Sequence, residues 1–561
     1  MKKPIHEKKV YPNFREVVED IGNLYGERTA FSFRYKASDK VIQKKSYIEL
    51  RDDVRALTAQ FVSMGVTGKH VALVGKLTYH WIVVYYATFC AGGVLVPLDK
   101  EWLAKDLADT GAKAEVSFVF CDGDSIEKGR AISEAAGCGE PVAMEYGEGT
   151  VGGLIEEGRV KFNENKDLYY GVKYDVDKLA LLVFTSGTTG KGKGVMLSQR
   201  NVLSDIASPL QHIDFTFKTV GVLPPHHTFG STVNILGHNC IGCEVYISSG
   251  IRYVQKELKE QKPGHMVLVP LYLETFYRKI MANIKDQGKE KLIARMIKIS
   301  NVLRKVGIDL RRKLFGAVLD AFGGEIRMVV CGGAPINQDI LSFFDGVGIE
   351  VLNGYGITEC APIIACNHSH NVIPGSVGPA SDVNEVLIHE PNEDGEGEIW
   401  AKGDNVMLGY FKDAEATADA ITPDGYFRTG DYGKLGKNGE IYITGRKKNL
   451  IILSNGKNVY PEEIESEFIA VPGVIDIIVY EGQSKRGLMY NTIVAEVYPD
   501  QDYITKNNIT DIEAHLKKYV DEYNLTAVPY KKIGILKVRT EEFPKNTLRK
   551  IMRFKLDMTI D

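Results

Sequence analysis

Residues 185–194 contain only glycine, serine, threonine and lysine, in the order Thr-Ser-Gly-Thr-Thr-Gly-Lys-Gly-Lys-Gly. Glycines let the backbone approach a ligand closely, and consecutive N–H groups can point into one concavity. The hydroxyl groups add short hydrogen-bond donors, and the lysines add positive charge. Together, these residue types predict a loop that binds a polyphosphate.

Three interpretations of this loop are open at this point. Residues 187–193 fit GxxxxGK, the opening of a Walker phosphate loop, but Gly194 stands where that loop needs a serine or threonine for Mg²⁺. A second interpretation is the phosphate loop of another family, and a third is a flexible glycine-rich loop without a ligand. Motifs farther along the chain distinguish between them.

The loop resembles the signature (S/T)-(S/T)-G-(S/T)-T-G-x-P-K-G of the adenylate-forming superfamily, which includes acyl-CoA synthetases, peptide-synthetase adenylation domains and luciferases. It matches every position except Gly192, which replaces the proline. Further motifs of the superfamily follow in the same order, so the resemblance covers nearly the whole chain. It implies ATP-phosphate contacts for Thr185, Ser186, Gly187, Thr188, Thr189, Gly190 and Lys193.

Two of these motifs imply the adenine and metal sites. Residues 332–335 resemble the superfamily's G-G-A-P turn, which borders the adenine pocket, and residues 354–359 resemble its G-Y-G-x-T-E motif. A tyrosine ring can stack on adenine, and a glutamate is a hard oxygen ligand for Mg²⁺. The resemblance assigns adenine contacts to Gly333, Ala334, Pro335, Tyr355 and Gly356, the α-phosphate to Thr358, and Mg²⁺ to Thr188 and Glu359.

Two later motifs imply the ribose site and a hinge. Residues 426–431 resemble (W/Y)-(F/Y)-x-T-G-D, in which the aspartate, here Asp431, accepts hydrogen bonds from the ribose hydroxyls. Residues 445–449 resemble the junction between the large and small domains of the superfamily. There Arg446 is expected to donate to ribose or phosphate, and Lys448 occupies the hinge position.

The catalytic lysine is expected near the C-terminal end. Residues 544–550 resemble P-K-T-x-x-G-K, whose last lysine, here Lys550, catalyses adenylation; asparagine and Arg549 replace the threonine and the glycine. Lys545 is the reserve candidate for that role. Gly456 matches the glycine that lines the path of the incoming thiol.

The acid substrate is indicated by weaker features. His227 falls on a position that lies beside the carboxylate substrate in the superfamily, and Gly332 and Gly354 are expected to border the same pocket. Residues 311–335 resemble long-chain acyl-CoA synthetases more than aryl or acetyl enzymes. A medium- or long-chain fatty acid is therefore the predicted acid.

The elements that position these residues follow from apolar patterning. Short apolar runs alternate with amphipathic segments before residue 360, which favours a parallel sheet covered by helices. Turn signals at Gly395 and at Asn438-Gly439 then predict antiparallel hairpins. The predicted fold is α/β: a large domain of parallel-sheet lobes plus a smaller β part (1–446), and a small, mobile α+β domain (449–561).

Composition limits the partners and the location. A net charge of −4 gives no basic field for nucleic acid, and eight scattered cysteines are typical of a reduced cytoplasmic protein. Residues 81–98 are uncharged but are interpreted as a helix, a glycine turn and a strand rather than a membrane span. Residues 289–313 carry nine Lys/Arg against two acids among apolar residues. This pattern fits a solvated helix face over a core; the alternative is a peripheral membrane contact, testable by liposome co-sedimentation with charge reversal at Arg311 and Arg312.

The predicted reaction has two steps: ATP activates a carboxylic acid to acyl-AMP with release of pyrophosphate, and CoA then receives the acyl group. Three alternatives stay open. The acceptor thiol could belong to a separate acyl carrier protein, the chain could be a non-catalytic acyl-binding relative, or it could be a P-loop NTPase. Gly194 argues against the last. The oligomeric state is not predicted.

Overall fold

The structure is a computed structural model that describes residues 4–185, 192–453, 458–469, 471–483, 489–545 and 551–560. Its strands are β1 Thr29–Phe33, β2 Gln43–Ser46, β3 His70–Val74, β4 Val94–Leu98, β5 Val116–Cys121, β6 Val142–Ala143, β7 Leu179–Thr185, β8 Lys193–Ser198, β9 Lys218–Gly221, β10 Glu244–Ile247, β11 His265–Leu268, β12 Met328–Gly332, β13 Glu350–Gly356, β14 Ile363–Cys366, β15 Asn384–His389, β16 Gly397–Gly403, β17 Gly409–Tyr410, β18 Phe427–Leu435, β19 Ile441–Arg446, β20 Ile451–Ile452, β21 Asn458–Val459, β22 Val474–Gln483, β23 Met489–Pro499 and β24 Ile533–Val538.

Its α-helices are α1 Phe14–Tyr25, α2 Tyr47–Ser63, α3 Tyr79–Cys90, α4 Ala104–Lys113, α5 Ile126–Ala136, α6 Val151–Glu164, α7 Asp167–Tyr170, α8 Gln199–His212, α9 His238–Cys240, α10 Val254–Gln261, α11 Pro270–Asp286, α12 Glu290–Lys305, α13 Arg311–Leu314, α14 Gly316–Leu319, α15 Gln338–Val347, α16 Ala414–Ala420, α17 Pro461–Phe468, α18 Gln501–Lys506 and α19 Ile512–Thr526. A π-helix covers Phe229–Gly237.

A seven-stranded sheet, in the order β17-β8-β7-β4-β3-β5-β6, forms the core of the first lobe. Strands β7, β4, β3, β5 and β6 are parallel, whereas β8 and β17 are antiparallel to their neighbours. Helix α3 connects β3 to β4 and is buried along its whole length. Residues 81–98 are therefore helix, turn and strand, as predicted, and no helix in the described ranges is long and apolar enough to span a membrane.

The second lobe contains two further sheets. One has the order β11-β12-β13-β14, with β11, β12 and β13 parallel, and the other has the order β2-β1-β10-β9. Gly332 at the end of β12 pairs with Gly354 in β13, so the glycine motifs predicted from the sequence are neighbours at one edge of the sheet. This is the edge, at the carboxyl ends of parallel strands, where α/β proteins commonly bind ligands.

The remaining strands are mostly antiparallel. The predicted hairpins are confirmed as β15–β16 and β18–β19 in the sheet β15-β16-β18-β19. After β19, strands β22-β23-β24 form a smaller sheet, and α17 and α19 contribute to the apolar core beside it through Ile464 and Leu516. The predicted fold class, parallel-sheet α/β lobes with a β part and a small α+β unit, is confirmed.

Candidate active site

Asp431 is buried between a tyrosine and an arginine. Asp431 in β18 lies directly opposite Arg446 in β19, and Arg446 Nε lies 3.1 Å from Asp431 Oδ1. Tyr355, near the end of β13, donates its hydroxyl to Asp431 Oδ2 at 2.7 Å. The Asp431 side chain is 3% exposed and that of Arg446 is 46% exposed, so the carboxylate is fixed while about half of the arginine stays accessible.

These contacts set the protonation states of the partners. The charge of Asp431, ahead of an opposing effect of burial, raises the pKa of Arg446. Burial, followed by the charge of Asp431, holds the pKa of Tyr355 well above its usual value. The cluster therefore contains a charged guanidinium and a neutral phenol at neutral pH.

A second cluster connects Glu359 to the end of the glycine-rich loop. Glu359 lies in the 3₁₀ turn Thr358–Cys360 that follows β13, and its Oε1 accepts a hydrogen bond from the Tyr410 hydroxyl at 2.9 Å. Lys193 Nζ lies 4.6 Å from the centre of the Tyr410 ring, a cation–π distance. Burial raises the pKa of Glu359, against the lowering effect of hydrogen bonds from its own backbone and from Tyr410. Tyr410 thus brings Lys193 and Glu359 together.

Buried side chains hydrogen-bond to the backbone next to the Glu359 turn and fix its position. Asn405 Nδ2 donates to Cys360 O at 2.9 Å and to Ile363 O at 2.8 Å. Asp205 Oδ1 accepts the N–H of Ile363 at 2.8 Å. Asn405, Asp205 and Tyr410 were not predicted from the sequence, because each reaches its partner from at least 42 residues away and none stands in a recognised motif.

An apolar cavity of about 70 Å³ lies beside the Asp431 cluster and shares Tyr355 with it. It is lined by Pro209, Ile213, Phe229, Val233, Val330, Cys331, Gly332, Gly333, Gly354, Tyr355, Gly356, Pro362, Ile363, Ala365 and Cys366. The predicted acyl-pocket glycines, Gly332 and Gly354, therefore share one cavity with three predicted adenine residues, Gly333, Tyr355 and Gly356. His227, Ala334 and Pro335 are not among the lining residues; the π-helix that follows His227 contributes Phe229 and Val233.

Gly192, the departure from the superfamily signature, occupies a crowded position. A Cβ atom there would lie 2.7 Å from the Thr185 carbonyl oxygen, on the strand that pairs with β8. The backbone in this conformation accommodates glycine and would clash with a larger residue. Gly333, in contrast, has a positive φ of 88°, which favours glycine on conformational grounds.

The other predicted site residues are distributed as follows. Lys448 lies in the 3₁₀ turn Lys447–Asn449 directly after β19, and Thr358 opens the turn that holds Glu359. Lys545 is 9% exposed and pairs with Asp476 at 2.6 Å and Glu542 at 2.8 Å, which commits its charge to two carboxylates. Ser186, Gly187, Thr188, Thr189, Gly190, Gly456 and Lys550 lie outside the described residues.

The fit of a divalent cation depends on Glu359. Among the described residues, no group of three or more His, Cys, Asp or Glu side chains is arranged to hold a metal ion. The Glu359 carboxylate is a hard oxygen donor that accepts a hydrogen bond from a neutral phenol, Tyr410. Such a desolvated carboxylate favours a nearby cation, so the residue suits Mg²⁺ that is also bound by ligand phosphates.

The model of the AMP-binding enzyme family matches residues 18–411, which is more than half of the chain. The chain belongs to this family. Among curated proteins, this AMP-binding enzyme is 27% identical to long-chain-fatty-acid–CoA ligase 5 of Mus musculus, over 88% of this chain and 76% of that relative. The predicted relationship to adenylate-forming enzymes is thereby confirmed.

Solved structures support the same fold for this AMP-binding enzyme. ATP-bound MatB from Rhodopseudomonas palustris aligns with a TM-score of 0.72 and 24% identity, covering 96% of this chain and 97% of MatB. O-succinylbenzoate coenzyme A synthetase (MenE) from Bacillus subtilis, in complex with ATP and magnesium ion, aligns with a TM-score of 0.71 and 21% identity, covering 98% and 100% of the two chains.

Proposed function

We propose that this AMP-binding enzyme is an AMP-forming acid–thiol ligase of the cytoplasm. ATP and a carboxylic acid give acyl-AMP and pyrophosphate, and CoA then receives the acyl group while AMP is released. The proposal rests on one observation: residues 354–359 contribute to the Asp431 cluster, to the Glu359 cluster and to the apolar cavity. Nucleoside, phosphates and acid can therefore meet around a single segment of chain.

The nucleoside would bind at the Asp431 cluster. Each carboxylate oxygen of Asp431 has a second lone pair for a ribose hydroxyl, although one oxygen accepts from Tyr355 and the other faces Arg446. The hydroxyl contact fixes the Tyr355 ring beside Gly333 and Gly356 in the cavity wall, where a flat base can stack. Arg446 keeps donors available for ribose or phosphate.

The phosphates would lie between the glycine-rich loop and Glu359. Lys193, Thr185 and residues 186–190 would neutralise and orient them, and Thr358 would donate to the α-phosphate. Glu359 and Thr188 would hold Mg²⁺, which screens phosphate charge when bound. Tyr410 fixes the Glu359 carboxylate in place, so this ligand is preorganised for the cation.

The first step needs positioning rather than covalent help from the protein. The substrate carboxylate attacks the α-phosphorus in line, an α-phosphorus–oxygen bond breaks, and pyrophosphate leaves. Lys550 would supply positive charge where the carboxylate meets the α-phosphate, because charge gathers there in the transition state. Lys545 is the weaker candidate, since Asp476 and Glu542 already engage it.

In the second step, the CoA thiol needs a path to the acyl-AMP. We propose that residues 449–561 move relative to residues 1–446 about Lys448, which withdraws Lys550 and opens a path past Gly456. A CoA thiolate then attacks the acyl carbonyl, and the bond to AMP breaks. The turn at Lys447–Asn449, which directly follows the last strand of the β15-β16-β18-β19 sheet, supports this boundary.

A medium- or long-chain fatty acid is the proposed substrate class. The named activity of the Mus musculus relative and the apolar lining of the cavity support it. His227, beside the start of the π-helix, is the proposed residue near the substrate carboxylate. The solved relatives carry other names, so the chain length of the acid is a matter for direct assay.

The deciding experiment measures pyrophosphate and AMP release from Mg²⁺-ATP over a panel of acids, from acetate to palmitate plus benzoates, with and without CoA. AMP release that rises with CoA for one chain-length class is the expected result. A burst of pyrophosphate without CoA-dependent turnover would point to a carrier-protein thiol. No release with any acid, together with tight fatty-acid binding, would contradict a ligase and support a non-catalytic relative.

The role of Lys550 has a separate test in the two half-reactions. Lys550→Ala should abolish acyl-AMP formation and leave thiolysis of supplied acyl-AMP nearly unchanged, because the lysine acts only in the first step. Lys545→Ala is the matched comparison. Equal loss of both half-reactions in Lys550→Ala would refute the two-conformation account.

A further inference from the structure

Helix α12 and the residue after it expose a row of aliphatic side chains, here called the α12 ridge. The ridge consists of Leu292, Ile299, Val302 and Val306, which are 51%, 53%, 64% and 71% exposed. Single exposed apolar residues are common on protein surfaces, but four along one helix, interrupted on that face by the exposed Arg295, form the kind of apolar patch that marks an interaction site.

A row of lysines runs beside the α12 ridge. Lys291, Lys298 and Lys305 each precede a ridge residue, Leu292, Ile299 or Val306, and recur every seven residues. Seven residues are close to two helical turns, so the three pairs follow one line about 21 Å long. All three lysines are exposed, and none forms an ion pair with another described residue.

The opposite side of α12 fixes this orientation. Ile293, Met296 and Ile297 pack against the apolar core of the second lobe, and Ser300 is fully buried. Ile297 also packs closely on Gly346 in α15: a Cβ atom added at Gly346 would lie 2.7 Å from Cγ2 of Ile297. The ridge and its lysines therefore cannot turn inward without unpacking the helix.

The two aspartates near the C-terminal end of α12, Asp345 and Asp309, are engaged by arginines. Asp345 pairs with Arg304 at 2.9 Å and with Arg311 at 3.0 Å, and Arg311 also pairs with Asp309. Arg312 donates to the carbonyls of Gly324 and Ile326. Arg311 and Arg312 are thus structural residues, and the charge-reversal test suggested by the sequence would disturb the fold rather than a membrane contact.

We propose that the α12 ridge docks on an anionic lipid surface. The helix would lie in the plane of the interface, with the aliphatic residues in the boundary of head groups and acyl chains and the lysine ammonium groups at the phosphates. Charge complementarity supports this partner: residues 289–305 hold six Lys/Arg and one Glu, whereas the whole chain carries −4. The ridge is purely aliphatic, which suits acyl chains.

The test is co-sedimentation with vesicles of phosphatidylcholine, with and without about 30% phosphatidylglycerol, since lysines contribute only near an anionic surface. The test variant is Lys291→Glu/Lys298→Glu/Lys305→Glu. The matched control, Lys166→Glu/Lys173→Glu/Lys178→Glu, changes the net charge equally at exposed lysines away from α12. Urea unfolding midpoints check that every protein is folded.

The wild type and the control should bind the anionic vesicles, and the test variant should bind at least about 100-fold more weakly. Val302→Ser/Val306→Ser should weaken binding by about tenfold or more, because aliphatic insertion is reduced. Equal binding to both vesicle types, full binding by the test variant, or equal loss in the control would each overturn the proposal. An interaction with an acidic protein but not with vesicles would also overturn it. No outcome depends on enzyme turnover, so failure here is distinct from failure of the proposed ligase activity.

Discussion

The two carboxylate clusters, at Asp431 and at Glu359, have contrasting surroundings. Asp431 faces a full positive charge, Arg446, at 3.1 Å and also accepts a hydrogen bond from Tyr355. Glu359 accepts a hydrogen bond from the phenol of Tyr410, and its burial raises its pKa. The charge of Asp431 is balanced by its ion pair with Arg446, whereas Glu359 forms no ion pair with any residue that the structure describes.

This difference indicates what each of the two clusters is suited to bind. A balanced carboxylate is a fixed acceptor for neutral hydroxyl groups, because its geometry does not depend on the ligand's charge. A desolvated carboxylate with only a neutral donor is stabilised when a cation arrives. The Asp431 cluster therefore fits a ribose, and the Glu359 cluster fits a metal–phosphate group. The proposed mechanism makes the same division.

The largest expected effect is that of Asp431→Ala. Removing the carboxylate leaves Arg446 and Tyr355 without their shared partner, so unfolding free energy should fall by about 1–3 kcal/mol. The apparent kcat/KM for ATP should fall by about 1,000-fold or more, because ribose binding and the position of Arg446 are both lost. Pyrophosphate exchange and urea unfolding measure the two effects. Asp431→Asn, which can still accept from Tyr355, should be intermediate in both.

Glu359→Gln should separate activity from stability. Loss of the proposed metal ligand should lower kcat by about 100-fold or more. Unfolding free energy at neutral pH should stay the same or rise by up to about 1 kcal/mol, since a buried charge with a raised pKa is replaced by a neutral amide. A loss of stability as large as that of Asp431→Ala would contradict the contrast between the two carboxylates.

The pH dependence of stability should show the same contrast. The pKa of Glu359 is raised by burial above its ordinary value of 4.5. Its contribution to stability is therefore fully present below that ordinary value and is lost as pH rises through the raised folded value. Urea unfolding of wild type and Glu359→Gln across this window should show the variant gaining relative stability as pH increases. A difference that stays constant with pH would mean that Glu359 is not desolvated.

The smallest effect is expected for Tyr410→Phe. The variant keeps the ring beside Lys193 and loses only the hydrogen bond to Glu359, so a stability change of about 1 kcal/mol or less is expected. Apparent Mg²⁺ affinity in the ATP assay should weaken by about tenfold, because the carboxylate is less well oriented. Tyr442→Phe, at a tyrosine of the neighbouring sheet, is the control and should change neither quantity.

Local sequence was sufficient for residues whose chemistry sits inside a compact motif. Tyr355, Asp431 and Arg446 were predicted from three separate motifs, and the structure brings their side chains into contact. The strand–helix alternation likewise predicted the parallel sheets, because buried strands and amphipathic helices leave apolar periods in the sequence.

Contacts made across long stretches of chain could not be predicted in this way. Tyr410 reaches Glu359 across 51 residues, and Asp205 reaches the Ile363 N–H across 158 residues. Neither partner leaves a local pattern. The composition of the stretch that includes α12 showed that it is basic. Only the packing shows that Lys298 is exposed to solvent whereas Arg311 forms an ion pair with Asp345.

In the proposed function, residues 354–359 contribute to three binding surfaces, and this overlap has a consequence for how selectivity for the acid can change. Under that proposal, a substitution at Tyr355 would alter base, ribose and acid recognition together, so this position carries the constraints of all three. Val233 and Ile213 line the cavity from other elements and take no part in either carboxylate cluster. Adaptation to a new acid, by natural drift or by directed evolution, should accumulate at such single-purpose positions and leave the shared segment unchanged.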